Sequence, residues 1–379
     1  MMIDVFFAFR DAPQRRAALA AEPGSGERYV LYGLDQLAAN GISTHHNLEQ
    51  AGLPPAWARV AGGNVKRVLE TSGGYGGDFA TVLASLGRAN EADVVFSTVD
   101  TVGIPLMLLK RARLLRAPLL YAAIGLPERI ERLRGERMRR LYADALGSTS
   151  AVVAYSEHEA SVLRSWLEGH GRRTRVEFVP FGVDTELFRP SSAAPGVDVV
   201  SIGADPHRDY ELLLRVASRL PGTSFLLVTT ADRARALAPA PVNVTVEADL
   251  PFSEMRSRLE QARVVALPVL ENSYSGATTV LLQSMASGKP IVVTRTRAIE
   301  SGYGLRDGDN CRLVAPGDEA AFEQALARVL ADELHARALA ARAREQAERE
   351  LTWGRYADRI EELLLGAAGA PPKRRSAPG

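Results

Sequence analysis

Arg263-Val264-Val265-Ala266-Leu267-Pro268, then Ser273-Tyr274-Ser275-Gly276-Ala277-Thr278-Thr279-Val280-Leu281-Leu282-Gln283-Ser284-Met285-Ala286-Ser287-Gly288-Lys289-Pro290, then Ile291-Val292-Val293-Thr294 reads as one strand–loop–helix–strand unit. The two flanking runs are short, β-branched and apolar on both faces, as expected for strands covered by helices on both sides. Between them a loop of small residues opens into an apolar helix, expected over 278–287, that Gly288 closes and Pro290 turns into the next strand.

Outward from this unit the same alternation repeats. In the second half the strand-like runs are 198–203, 224–230, 242–247, 263–268, 290–294 and 311–314, with helices expected over 210–220 and 252–261. In the first half they are 5–9, 42–45, 93–97, 118–122, 151–155 and 176–180, with helical patterns at 29–39 and 129–146. Between the halves, Pro180-Phe181-Gly182-Val183-Asp184 leads through Phe188-Arg189-Pro190 into a Ser/Ala/Pro/Gly stretch of linker composition. The expected class is α/β: two doubly wound, Rossmann-like parallel sheets in tandem, facing across a cleft. The expected domains are 1–189, 190–366 and an unstructured tail, 367–379. Ligands of such sheets sit beyond the carboxyl ends of the strands.

Bulk composition narrows the function classes. The 379 residues are 46% hydrophobic and 24% charged, the balance of a globular protein. Lys+Arg 46 against Asp+Glu 45 leaves a net charge of +1, so no global field favours nucleic acid. A single cysteine, Cys311, excludes an internal disulfide and a cysteine metal cage, and fits a cytoplasmic location. No apolar run reaches the ~18 residues of a membrane span. No acidic metal-binding cluster stands at a cleft-facing strand end, so neither a catalytic metal nor a cofactor is expected.

The helix start at Ala277, Thr278 and Thr279, preceded by Gly276, offers free N–H groups and the positive end of a dipole, which favour an anion such as a diphosphate. Here the chain resembles the retaining GT-B glycosyltransferases of the family-four type, glycosyl transferases group 1. Met285-Ala286-Ser287-Gly288-Lys289-Pro290 matches the end of that family's donor-site signature. By register its two acidic positions fall on Ser275 and Gln283, and the resemblance implies contact with the donor sugar and the nucleotide ribose. Gln283 can hydrogen-bond a ribose without a charge; Ser275 carries no carboxylate. Gly203 matches the glycine ending the family's first donor-domain strand. Arg208 falls where a diphosphate-gripping lysine stands, and Ala204 where an arginine does. An Arg beside a helix start makes a good diphosphate clamp, so Arg208 is also the expected catalytic residue. The resemblance further places nucleobase contacts around Leu250.

On the acceptor side, Gly24-Ser25-Gly26-Glu27-Arg28 resembles the family's glycine loop, and Gly41 keeps its spacing to the second strand. The stretch 10–23 reads either as a flap over the acceptor site or as an unstructured insertion. Ile124 stands where many relatives carry a histidine. The remaining polar candidates are His45, His46, Asp100, Thr101 and Glu128. The arginine-rich run 129–140, interleaved with Glu128, Glu131 and Glu136, reads as a solvated helix face with charges paired at helical spacing. The sharper reading is a patch for an anionic acceptor or for weak peripheral contact with a lipid surface.

The expected function is transfer of a sugar from a nucleoside-diphosphate sugar, UDP- or GDP-linked, to a hydroxyl of a small-molecule, glycan or lipid-linked acceptor, with retention. Two alternatives stay open: a non-catalytic nucleotide-sugar-binding protein, and a GT-B nucleotide-sugar epimerase.

Overall fold

The computed structural model describes residues 3–49, 52–192, 194–274 and 276–370. Two units emerge: Met1–Val179 with Tyr356–Gly379, and Pro180–Arg355.

The first unit holds a parallel six-stranded sheet of β1 (Asp4–Ala8), β2 (Ser43–His46), β3 (Val94–Ser97), β4 (Leu119–Ala123), β5 (Ala151–Ala154) and β6 (Val176–Phe178), in the order β2-β1-β3-β4-β5-β6. Every residue of β3, β4 and β5 is buried, which is why these runs carry no polar alternation. The edge strand β2 is Ser-Thr-His-His, with its side chains only partly covered. The helices are α1 (Pro13–Ala20), α2 (Leu34–Ala39), α3 (Ala56–Thr71), α4 (Phe79–Glu91), α5 (Asp100–Arg111), α6 (Leu126–Glu131), α7 (Glu136–Leu146) and α8 (Glu157–Gly169).

The second unit repeats the architecture with β7 (Val197–Ile202), β8 (Phe225–Thr229), β9 (Val244–Ala248), β10 (Ala262–Leu267), β11 (Ile291–Thr294) and β12 (Arg312–Val314), ordered β12-β11-β10-β7-β8-β9 and again parallel. Its helices are α9 (Tyr210–Arg219), α10 (Ala231–Ala236), α11 (Phe252–Glu260), α12 (Thr278–Ala286), α13 (Arg297–Glu300), α14 (Glu319–Ala331) and α15 (Glu333–Glu350). In both sheets the order reverses beside the first strand of the unit, the switch point where doubly wound folds bind ligands.

The last helix, α16 (Trp353–Ala367), begins in the second unit and from Tyr356 belongs to the first. A division of the sequence near residue 190 assigns it to the second. Tyr356 Oη lies 3.0 Å from Tyr155 Oη, and Arg359 Nη2 donates to Glu177 Oε2 at 2.7 Å. These partners lie far back in the chain, where no local pattern announces them.

All twelve expected strands form, each with ends within two residues of the expected ones. Three local expectations change. The stretch 10–23 carries a helix, α1, pinned because Arg15 Nη1 donates to Arg10 O at 3.0 Å and Arg15 Nε to Val30 O at 3.3 Å. The helix expected over 29–39 splits into a 3-10 turn, Gly26–Leu31, and α2, since Tyr32 and Gly33 adopt left-handed backbone at φ 54° and 81°. The helix expected over 129–146 breaks at Gly135, whose φ is 76°. Residues 371–379 of the expected tail lie outside the described residues.

Candidate functional site

β7 ends at Ile202 and the chain turns at Gly203. A Cβ there would lie 2.5 Å from Arg208 Nε, so only glycine lets the guanidinium fold back beneath the strand end. Arg208 is 3% exposed. Its Nη2 donates to Ile202 O at 2.7 Å, while Nε and Nη1 are buried and have no partner among the described residues. Burial holds its pKa below the usual arginine value. A cation taken out of water without a carboxylate partner is costly, and an arriving anion offsets that cost. Gly203 contributes room rather than a donor, since its N–H is spent on Val228 O at 2.9 Å.

The segment after β10 closes against this turn. Asp209 N donates to Pro268 O at 3.0 Å and Leu270 N to His207 O at 2.8 Å, with a bridge between Arg208 and Val269. Tyr274 Oη donates to Asp205 Oδ2 at 2.7 Å, and a Cβ on Gly276 would lie 2.7 Å from Asp205 Oδ1. Stretches 203–209 and 268–277 thus form one assembly at the carboxyl ends of β7 and β10. From it α12 departs. Leu281 N donates to Ala277 O at 2.9 Å, and the N–H groups of Thr278 and Thr279 ahead of it have no carbonyl within the helix to bond. Gly276 N–H is used locally, on Tyr274 O at 3.0 Å. Thr278 Oγ1 is buried with no partner among the described residues, Thr279 is half-buried, and Gln283 is buried on the same helix. Ser275 lies outside the described residues.

Arg233, which the sequence reading passed over, joins this assembly. Its guanidinium donates to Asp205 O, and to Arg208 O at 2.8 Å, and lies over the Tyr210 ring. The available signal was an arginine in the first turn of a helix directly after a strand. Leu250, half-buried, follows Asp249, whose Oδ2 accepts from Ala231 N at 3.3 Å, so its turn is tied to the start of α10.

In the first unit, Asp100 opens α5 at the carboxyl end of β3. It is buried, and accepts from Tyr121 Oη (2.7 Å), Ile124 N (3.1 Å) and Arg129 Nε (2.8 Å). Burial raises its pKa against the pull of Arg129. Arg129, expected on a solvated face, is instead half-buried, 4.1 Å above the Tyr75 ring. Asp100 and Thr101 line a cavity of about 280 Å³ with Arg10, Arg15, Ile124 and Arg129. Three arginines against one carboxylate make it cationic.

The other acceptor-side candidates do not line that cavity. Gly24 turns at φ 83°, Ser25 precedes the 3-10 turn and Gly26 opens it. Arg28 closes this loop by pairing with Asp35 at 2.5 Å and donating to Ala18 O and Ala21 O. His45 is exposed on the edge strand, 3.5 Å from Asp4. His46 packs edge-on to Phe9, and burial lowers its pKa. Glu128, in the first turn of α6, is half-buried. The sequence reading missed Glu159: wholly buried on α8, it accepts from Gly125 N at 2.8 Å and Leu126 N at 3.3 Å.

Comparison with known proteins gives a consistent picture. Residues 197–332 match the family described as glycosyl transferases group 1. The MMP alpha-(1->4)-mannosyltransferase of Mycolicibacterium hassiacum is 30% identical over 190 residues, 47% of this chain and 45% of that protein. A D-inositol 3-phosphate glycosyltransferase of Mycolicibacterium paratuberculosis is 26% identical over 213 residues, 50% of this chain and 47% of that protein. The matches thus span about half the length of these curated relatives. Among solved structures, the sucrose-phosphate synthase of Thermosynechococcus elongatus superimposes with a TM-score of 0.71 at 16% identity, covering 95% of this chain and 98% of that one. Anabaena HepE, solved in complex with UDP-glucose, gives 0.69 at 15% identity, with 96% and 100% covered. Residues 197–332 thus carry a likeness to the glycosyl transferases group 1, and the two parallel sheets, superimposing on these structures, give the chain the GT-B fold.

Proposed function

We propose that the chain is a glycosyltransferase that moves a sugar from a nucleoside-diphosphate sugar, UDP- or GDP-linked, to a hydroxyl of a small-molecule, glycan or lipid-linked acceptor, with retention of configuration. The observation that carries this reading is Arg208, a buried guanidinium with two nitrogens that have no partner among the described residues, beside the loop that opens α12. The diphosphate lies against Arg208 and the N–H groups of Thr278 and Thr279, with Gly203, Gly276 and Ala277 giving the backbone room. Gln283 takes the ribose and Leu250 the base, and the sequence position of Ser275 is the one assigned to the donor sugar. As the glycosidic bond breaks, negative charge grows on the leaving diphosphate, and fixed donors there stabilise it. A leaving phosphate oxygen takes the acceptor's proton on the same face, so no protein nucleophile, metal or cofactor enters. The acceptor side comprises the loop Gly24, Ser25 and Gly26 with His45, His46, Asp100 and Thr101. The single cysteine fits work in the cytoplasm.

Calorimetric titration of UDP and GDP tests the assignment. Arg208→Met keeps much of the side chain's volume and removes the charge. It is expected to weaken binding by about a hundredfold, on the order of 3 kcal/mol, with no loss of thermal stability, because an unpaired buried cation goes. Unchanged affinity refutes the diphosphate site. Slow donor hydrolysis to free nucleoside diphosphate separates an enzyme from a binding protein.

A further inference from the structure

Helix α3 departs from the rule that an amphipathic helix turns its larger apolar residues inward. Its inward face is small over most of its length: Ala58 and Gly62 are buried, a Cβ on Gly62 would lie 2.5 Å from Ala80 N, and Leu69 packs on the core only near the helix end. The backbone of α3 therefore rests directly on the start of α4. The bulky apolar side chains point away: Trp57, Val60 and Val68 are 60%, 65% and 62% exposed, and Leu53, just before the helix, is 81% exposed. Trp57, Val60, Asn64 and Val68 follow i, i+3, i+7, i+11 and so form one stripe along the helix. Arg67, exposed, sits beside it, while the exposed Arg59 and Lys66 lie across the helix.

The loop leaving α3 runs into a cationic stretch, since Arg134 N donates to Gly73 O at 2.9 Å. Arg132, Arg134, Arg137, Arg139 and Arg140 are all exposed. Helical spacing led to the expectation that Glu128, Glu131 and Glu136 pair with them. Among the described residues none of these five arginines makes an ion pair; Glu136 comes within 4.0 Å of His170 instead. The break at Gly135 parts Glu128 and Glu131 from the arginines of α7, while Glu136, which shares α7 with Arg139 and Arg140, lies toward His170. On a chain of net charge +1, this is a strong local excess of one sign beside an uncovered apolar ridge.

We propose that this face of the first unit docks on an anionic lipid surface. The Trp57–Val60–Val68 stripe enters the boundary between headgroups and acyl chains, while the arginines of 132–140 meet lipid phosphates. A helix with a Trp-bearing apolar stripe lies in the plane of such an interface, and the exposed arginines next to it add attraction to anionic headgroups. No helix among the described residues is long and apolar enough to cross a membrane, so the contact is a surface one. This proposal is independent of the donor-site reading.

Sedimentation of the whole chain with vesicles of phosphatidylcholine, alone or mixed with phosphatidylglycerol, tests it. The chain is expected to pellet with the mixed vesicles, less so as salt rises, and not with the neutral ones. Replacing Trp57, Val60 and Val68 together by serine is expected to weaken binding by about tenfold or more. Replacing Arg137, Arg139 and Arg140 together by glutamine is expected to do the same by about tenfold. Both sets are solvent-facing and should leave the melting temperature unchanged. Equal binding to both vesicle types, or undiminished binding of both variants, overturns the proposal. So does self-association that the serine variant abolishes, because the stripe is then covered by a second copy.

Discussion

Asp100 and Glu159 accept from three consecutive backbone N–H groups, those of Ile124, Gly125 and Leu126, where β4 turns into α6. Asp100 was legible in the sequence, an acid directly after an apolar strand. Glu159 was not, because Ser156 accepts from Glu159 N at 3.3 Å, and Ser-x-x-Glu at a helix start reads as an ordinary cap. The glutamate instead turns inward, and burial, reinforced by Asp100, pushes its pKa well above the ordinary 4.5. A carboxyl raised in the folded state adds stability below its unfolded pKa and loses it as pH rises through the folded one. Glu159→Gln keeps the acceptor oxygen and mimics the protonated acid. Urea denaturation between about pH 5 and about pH 8 is therefore expected to show a flatter stability profile than the parent, with the gain at the alkaline end. An unchanged slope would mean that Glu159 does not titrate in this range. Arg208 shows the converse: the family resemblance pointed to its position, but its burial and its two nitrogens without a partner among the described residues were not legible, because they arise where the chain folds back under Gly203.

At the scale of elements, the strands were readable because burial on both faces leaves uninterrupted apolar runs. Helix α12 was readable because Gly276 and Gly288 punctuate it. Helix α3 gave no usable pattern, since Trp57, Val60 and Val68 face solvent and its contact face is Ala58, Gly62 and Leu69. Helix α10 has no buried residue and is held by a Thr230 cap and by Arg233 reaching across to the 203–209 turn. That anchor is testable. Arg233→Ala is expected to cost roughly 1–2 kcal/mol of stability in urea denaturation, the loss of two charge-assisted bonds to backbone carbonyls. It is also expected to weaken UDP or GDP binding about tenfold through a looser turn. Arg233→Lys restores the charge without the planar fork and should rescue little of either loss.

At the scale of the molecule, two open parallel sheets follow from strand–helix alternation, and the switch between them was placed near the linker. The return of the chain to the first unit was invisible, because it depends on pairings between residues such as Tyr155 and Tyr356. Within α16, Tyr356, Ala357, Ile360, Leu363 and Leu364 are all buried. The larger of these side chains contribute about 1.5–3 kcal/mol each, together comparable with the roughly 5–15 kcal/mol net stability of a whole domain. A chain ending at Thr352 is therefore expected to lose the cooperative melting of its first unit in calorimetry while keeping that of the second. Adding the 353–370 peptide in trans should partly restore the lost transition.

That returning helix sets a timetable for synthesis. Residues 180–355 emerge from the ribosome as one unbroken length and hold everything the second unit needs. The amino-terminal sheet, although made first, lacks part of its cover until Leu364 has cleared the exit tunnel. Maturation thus runs against the direction of translation, and the nascent chain spends most of its elongation with that apolar flank open to chaperones.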